Sequence, residues 1–215
     1  MEHDASAARQ RLLDAALRLF AARGYEGATT REICDAAGAN LSAIRYYFGD
    51  KAGLYRATFC EPLGEPTDPA RLADIAALPL RPALTAFFRE FLLPLKHSDA
   101  VQLVMKLHFR EMIEPTGLWQ DEIDAEIRPQ HDWMVERLRT ELGLDAPDTD
   151  VQRLAVAVIS MAVHYYVGRE LIDLLAPDLL ASPEAIDLLA ERLAGYAVSM
   201  IEGERLRRKG EGDAH

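Results

Sequence analysis

Between Thr29 and Lys51 the sequence TTREICDAAGANLSAIRYYFGDK gathers side chains suited to a polyanion whose bases must be read. Thr29 and Thr30 supply hydroxyls, Arg31 and Arg45 guanidinium groups, Tyr46 and Tyr47 phenols, and Lys51 an ammonium. Leu41, Ser42 and Ala43 supply small or apolar surface beside them. Hydroxyls and backbone N–H groups at a helix N-terminus seat a phosphate with the help of the helix dipole, and Tyr47 and Lys51 can reach the same strand. A guanidinium takes guanine O6 and N7 as a fork, a serine hydroxyl meets either base type, and a leucine meets a thymine methyl. Each residue also has a plainer reading. Both threonines can simply cap a helix, Tyr47 can pack, and Arg31 and Arg45 can touch phosphate rather than base. Sequence alone leaves these pairs of readings open.

The elements that must hold these groups are short helices. A hydroxyl cap at Thr29 or Thr30 with Glu32 close behind it starts one helix, and Ile33, Ala36 and Ala37 give it an apolar edge. Gly38 stands where a helix ends in a left-handed residue. Asn40 caps a second helix, on which Ile44, Tyr47 and Phe48 fall at i, i+3, i+4 and face inward, so Leu41, Ser42, Ala43 and Arg45 look outward. Two helices joined by a short glycine-containing turn form a helix-turn-helix, whose second helix fits a DNA major groove. Upstream, Ser6 can cap a helix to Arg23 with Ala8, Leu12, Ala15, Ala16, Leu19 and Phe20 on one face, and Gly24 ends it. Downstream, Asp50 caps a fourth helix from Lys51 to about Cys60.

Thr29-Thr30-Arg31-Glu32-Ile33, Ala37-Gly38, Ile44-Arg45-Tyr46-Tyr47-Phe48, Asp50-Lys51 and Leu54-Tyr55 together resemble the DNA-binding domain of the TetR family of bacterial regulators. Arg45 stands where that family more often carries an aromatic residue. The resemblance implies an all-α protein: a three-helix helix-turn-helix domain over residues 1–61, a linker over 62–80 rich in proline and glycine, and a helical ligand-binding and dimerisation domain over 81–209.

The second half keeps the helical pattern. Helices are expected from Pro82 to about His97 with a kink at Pro94, and from Ser98 or Asp99 to Ile113. Others are expected from about Leu118 to Leu142 with Pro129 as an interior fault, from Asp148 or Thr149 to about Ala176, and from Ser182 to near Arg208. Phe109-Arg110-Glu111-Met112-Ile113-Glu114-Pro115-Thr116 and Glu126-Ile127-Arg128-Pro129 resemble the C-terminal domain of the CecR subgroup of the same family. Phe87, Phe91, Met105, His108, Phe109, Met112, Trp133, Met161, His164 and Tyr165 recur at helical spacing. By themselves they read as core; the resemblance makes them candidates for a ligand pocket, with the two histidines as its polar groups. Ala155, Ala162, Gly168, Leu188, Leu189, Tyr196 and Ile201 suit a dimer interface or, equally, an internal core. The basic cluster Arg205, Arg207, Arg208 and Lys209 complements a helix C-terminus, with a second DNA contact as the alternative.

Composition restricts the classes further. The formal net charge is −11, yet residues 1–60 carry 8 Lys+Arg against 7 Asp+Glu while residues 61–215 carry 16 against 28. A nucleic-acid face must therefore be local to the first part, and the acidic remainder is repelled by DNA, which weighs against a non-specific coating protein and favours one directed contact. Cys34 and Cys60, each on a helix, do not make a disulfide framework; with no apolar run of membrane-spanning length and no signal peptide visible, a cytoplasmic protein is expected. No phosphate-binding loop, nucleophile elbow or metalloprotease motif occurs, and neither histidine has a ligand set around it, so no enzyme, cofactor, metal or membrane partner is expected. These features imply a homodimeric transcriptional regulator on a palindromic double-stranded operator, a repressor relieved by a small apolar or amphipathic effector. The alternative is an activator, or a regulator answering to a protein partner.

Overall fold

The computed structural model describes residues 2–61, 69–96, 99–120 and 123–212. They form eleven α-helices: α1 Glu2–Gly27, α2 Thr30–Ala37, α3 Leu41–Phe48, α4 Lys51–Cys60, α5 Pro69–Ala76, α6 Leu80–Leu92, α7 Asp99–Ile113, α8 Arg128–Leu142, α9 Thr149–Val167, α10 Arg169–Leu175 and α11 Pro183–Gly212. Short 3₁₀ turns at Leu93–Lys96 and Pro177–Leu180 and a π-turn at Ile123–Ile127 complete them. No strand occurs among the described residues. The expected alternative cap Ser98 and the first part of the expected linker, residues 62–68, lie outside the described residues, as does the side chain of Cys60.

The chain divides into two compact units. The first is Met1–Pro66 with His97–Ala125, the second Thr67–Lys96 with Glu126–His215. This departs from the expected division by sequence order, because α7 packs on α1 and α4. Val104 and Leu107 of α7 are fully buried with Leu12, Phe20, Ile33, Ile44, Leu54, Tyr55 and Phe59. Fully burying a side chain of Leu or Phe size contributes roughly 1.5–3 kcal/mol, so α7 is a substantial part of this core. Its apolar spacing marks it as a helix, but spacing cannot say which unit it covers.

Several boundaries also differ from expectation. α1 begins at Glu2 rather than at Ser6, and its helical path breaks at Gly24 (φ 73°, ψ 177°) before a final turn. The Arg110 guanidinium lies across that glycine, where an added Cβ would sit 2.6 Å from its Nε. The linker expected over 62–80 contains α5. Pro129 is not an interior fault; it occupies the first turn of α8, directly after the π-turn. The helix expected to run to Ala176 breaks at Gly168, where α9 and α10 meet at 78°.

The second unit has its own core. α11 packs along α6, and α9 lies against α8 and α11. Leu84, Phe88, Leu92, Met134, Leu138, Val158, Leu193 and Ala197 fill it. Asp148 caps α9 by accepting from the Val151 N–H at 2.9 Å, and the Ser182 hydroxyl caps α11 by accepting from Ala185 N–H at 3.2 Å. No single helix among the described residues is long and apolar enough to cross a membrane.

Candidate nucleic-acid interface

Local sequence builds the reading head cap by cap. Thr29 and Glu32 form a reciprocal capping box at the start of α2. The Glu32 N–H donates to Thr29 Oγ1 at 3.2 Å, while Thr29 N–H and hydroxyl both donate to the Glu32 carboxylate at 3.0 and 2.7 Å. Arg23 donates to the same carboxylate at 2.8 Å. The Thr29 hydroxyl proton is thus committed within the protein; Thr30 is half-buried and Arg31 exposed beside it. The hydrogen bonds from Thr29, together with Arg23, hold Glu32 below its ordinary carboxylate value.

Gly38 takes the left-handed conformation (φ 62°) and closes α2. Asn40 then caps α3, accepting from the N–H and the hydroxyl of Ser42, each at 2.8 Å. That arrangement leaves the Ser42 oxygen as an acceptor. Ile44 is buried against the first unit's core, and Tyr47 and Phe48 are half-buried, so the inward face is the one the spacing predicts. The outward face carries Leu41, 57% exposed, and Tyr46, 80% exposed, with Ser42 and Arg45 exposed between them. Ala43 is half-buried. Tyr46 and Tyr47 meet edge to face at 4.8 Å. Ser42, Ala43, Arg45, Tyr46 and Tyr47 line an open depression of about 520 Å³ on this surface.

Lys51 opens α4 behind the Asp50 cap, and its Nζ stands 4.3 Å from the Tyr25 ring centre. Tyr25 was not singled out by sequence, because no local spacing joins positions 25 and 51. α4 itself is anchored from below. Tyr55, on its buried side, donates to Glu111 of α7 at 2.6 Å, and Glu111 also accepts from the Thr116 N–H and hydroxyl at 2.9 and 2.5 Å. Glu111 is 1% exposed, so its oxygens are satisfied entirely by protein. Desolvation, then Glu111, drives the Tyr55 phenol far above its ordinary value.

The ten candidate pocket residues do not gather in one unit. Met105, His108, Phe109 and Met112 belong to the first, the other six to the second. His108 is buried between Phe59 and Trp119, its Nδ1 2.9 Å from the Val104 carbonyl, whereas Met112 is 57% exposed. In the second unit Phe87 stacks on Trp133 at 5.0 Å and 4°, with Phe91 beside Phe87, and Met161 and Tyr165 are half-buried against the same core. His164 is exposed, which removes it from an enclosed polar role there. The Trp133 indole N–H is buried without an acceptor among the described residues.

The interface candidates also separate. Ala155, Ala162 and Ile201 are fully buried and Leu189 is 6% exposed within the second unit's own core, so these four are internal packing. Gly168 is half-buried at the helix break. Leu188 and Tyr196 are 51% and 56% exposed and stay available to a partner. The three arginines of the basic cluster are engaged internally, while Lys209 is exposed. Arg208 pairs with Asp148 at 2.7 Å and Glu204 at 2.6 Å, Arg207 with Asp150 at 2.9 Å, and Arg205 with Glu202 and the Glu141 carbonyl.

A capped helix-turn-helix with a solvent-held row of Leu41, Ser42, Arg45 and Tyr46 defines a DNA-reading module of the helix-turn-helix class. Comparison with known proteins takes this to a family. Residues 12–58 match the family model for bacterial regulatory proteins of the tetR family, and residues 80–204 match that for the C-terminal domain of the HTH-type transcriptional dual regulator CecR. The CecR dual regulator of Shigella flexneri is 30% identical over 207 residues, covering 91% of this chain and 92% of the relative. The transcriptional repressor AcnR of Corynebacterium diphtheriae is 30% identical over 66% of this chain and 70% of its own length. Among solved structures, HlyIIR, a hemolysin II transcriptional regulator, superposes with a TM-score of 0.59 at 19% identity, over 82% of this chain and 97% of that one; this likeness concerns the fold alone. The chain belongs to the TetR family of transcriptional regulators and carries a CecR-type C-terminal domain. It is a DNA-binding regulator, and the relatives named above are transcriptional regulators.

Proposed function

We propose that the protein is a cytoplasmic homodimeric repressor that reads a palindromic operator through α3 and releases it when a small apolar or amphipathic ligand binds the C-terminal helices. The observation that carries the DNA half is the outward face of α3. A leucine and a tyrosine held 57% and 80% exposed beside an arginine with no ion pair among the described residues form a surface that suits a groove better than solvent. Arg45 is the base-reading group, Leu41, Ser42, Ala43 and Tyr46 are its neighbours in the groove, and Thr30, Arg31, Tyr47, Lys51 and the α2 N-terminus hold phosphates. Thr29 contributes through its cap rather than through a free hydroxyl.

Dimerisation follows from area. One eight-residue helix covers too little DNA to be specific, and two on a dyad double the contact. Leu188 and Tyr196 lie eight residues apart on α11, on one helical face, and Val156 of α9 is 55% exposed; these supply the apolar area.

Ligand control rests on the Trp133 N–H beside Phe87 and Phe91, which has no acceptor among the described residues. A buried donor without an acceptor costs roughly 1–3 kcal/mol, and a ligand acceptor placed there would recover it. The route to the reading head is α7, which is continuous in sequence with the second unit and hydrogen-bonds α4 through Glu111 and Tyr55. A ligand preferring one arrangement of these helices shifts the population of reading-competent heads. The test is a thermal melt and an operator titration with a panel of acceptor-bearing apolar compounds, on wild type and Trp133→Phe. A compound that raises the melting temperature and weakens operator binding in wild type only supports the reading. Operator binding indifferent to every stabilising compound rejects it.

A further inference from the structure

Lysine is a flexible, strongly hydrated point charge, and a phosphate contact made by a free lysine must first freeze its side chain. Other cations of the first unit are fixed by carboxylates: Arg9 by Glu61 at 2.6 Å and Arg23 by Glu32 at 2.8 Å. Those pairings neutralise the cation they fix. Lys51 is fixed differently. Its Nζ sits 4.3 Å from the Tyr25 ring centre, and it makes no carboxylate ion pair among the described residues. Tyr25 in turn is held in an aromatic cluster, edge to face with Tyr55 at 4.9 Å and stacked near Phe20 at 6.1 Å, with Phe20 and Tyr55 themselves in contact at 4.8 Å. Phe20 and Tyr55 are buried and Tyr25 is half-buried, so the ring stands on a packed platform with Lys51 over its face. A ring face attracts an ammonium through its quadrupole without donating a negative charge. The ammonium keeps its full charge and its outward N–H groups for a phosphate.

We propose that Tyr25 is a positioning residue for DNA binding: it presents Lys51 to the backbone of the operator through a cation–π contact. The proposal rests on the assignment of Lys51 to the phosphate set, and the experiment separates the two. Inverted-repeat DNA selected by the protein from a random pool serves as probe, and affinity is followed by fluorescence anisotropy across a salt series. Tyr25→Phe keeps the ring and binds as wild type. Tyr25→Leu removes the quadrupole and weakens binding about two- to five-fold for each reading head engaged. In a Lys51→Ala background the same Tyr25→Leu substitution has no further effect. Because leucine also changes packing, phenylalanine analogues with increasing fluorine substitution at position 25 form a second series; they keep the shape while weakening the ring face, and affinity falls in step with fluorine number. Equal weakening by Tyr25→Leu with and without Lys51, or affinity independent of fluorination, overturns the positioning role. A salt slope unchanged by Lys51→Ala overturns the phosphate assignment itself, and the proposal with it.

Discussion

The roles proposed for Arg45 and Lys51 rest on different chemistry, and the difference is measurable one residue at a time. Lys51 carries a compact charge on the first turn of α4, and its proposed target is a phosphate, which every sequence possesses. Lys51→Ala is expected to weaken specific and non-specific DNA alike and to lower the slope of log affinity against log salt by roughly 1 for each phosphate it no longer neutralises. A gel-shift salt titration checks this. Both residues were legible in the sequence by type and by their place after the Asn40 and Asp50 caps. Tyr25 was not, because a cation–π contact joins positions 25 and 51 through the fold and leaves no local pattern. Thr29 shows the reverse limit: its place at a helix start was plain, but that its hydroxyl proton goes to Glu32 depends on a side-chain rotamer. Asp148 gives a pH test at this scale. The Arg208 guanidinium, then the Val151 N–H, hold its carboxyl below the usual range. A carboxyl depressed on folding adds stability that is complete above its unfolded value near pH 4 and fades as pH falls below that. The melting temperatures of wild type and Asp148→Ala should therefore differ near neutral pH and approach each other in the acid range.

At the scale of elements, caps and breakers carried most of the fold. Thr29, Asn40, Asp50, Asp148 and Ser182 start helices where hydroxyl and carboxyl side chains stand before apolar periodicity, and Gly38 and Gly143 end them in the left-handed region. What escaped the sequence was partnership. α7 has the same apolar spacing as its neighbours, yet its Glu111 satisfies Tyr55 and Thr116 and its Leu107 joins the first unit's core. Likewise Ala155, Ala162 and Ile201 have the small and apolar character of interface residues, and only the packing of α11 on α6 and α9 shows them internal. Gly24 tests the junction of α1 and α7. Its φ of 73° with ψ of 177° is a glycine conformation, and the Arg110 guanidinium occupies the space of a Cβ. Gly24→Ala should cost about 1–3 kcal/mol in urea unfolding from backbone strain, with a further penalty because the new methyl displaces the guanidinium. In an Arg110→Ala background that steric penalty disappears and the backbone cost stays.

At the scale of the whole molecule, specific binding to a dyad requires two reading heads. Leu188→Glu with Tyr196→Glu places charge on the exposed apolar face of α11 and should halve the sedimenting mass while leaving the helical content and the monomer fold intact. The same variant should lose operator affinity far more than affinity for unrelated DNA, since only the specific complex needs the dyad. The most direct measurement is selection of binding sites from a random DNA pool by the wild type and by Arg45→Ala, compared base by base. The wild type is expected to enrich an inverted repeat. The variant is expected to lose preference at one base pair in each half-site, symmetrically placed and equivalent to roughly 1–3 kcal/mol of discrimination, with the rest of the motif unchanged. An unchanged motif in Arg45→Ala, or a wild type that enriches no inverted repeat, would contradict base reading by Arg45 from a dimer.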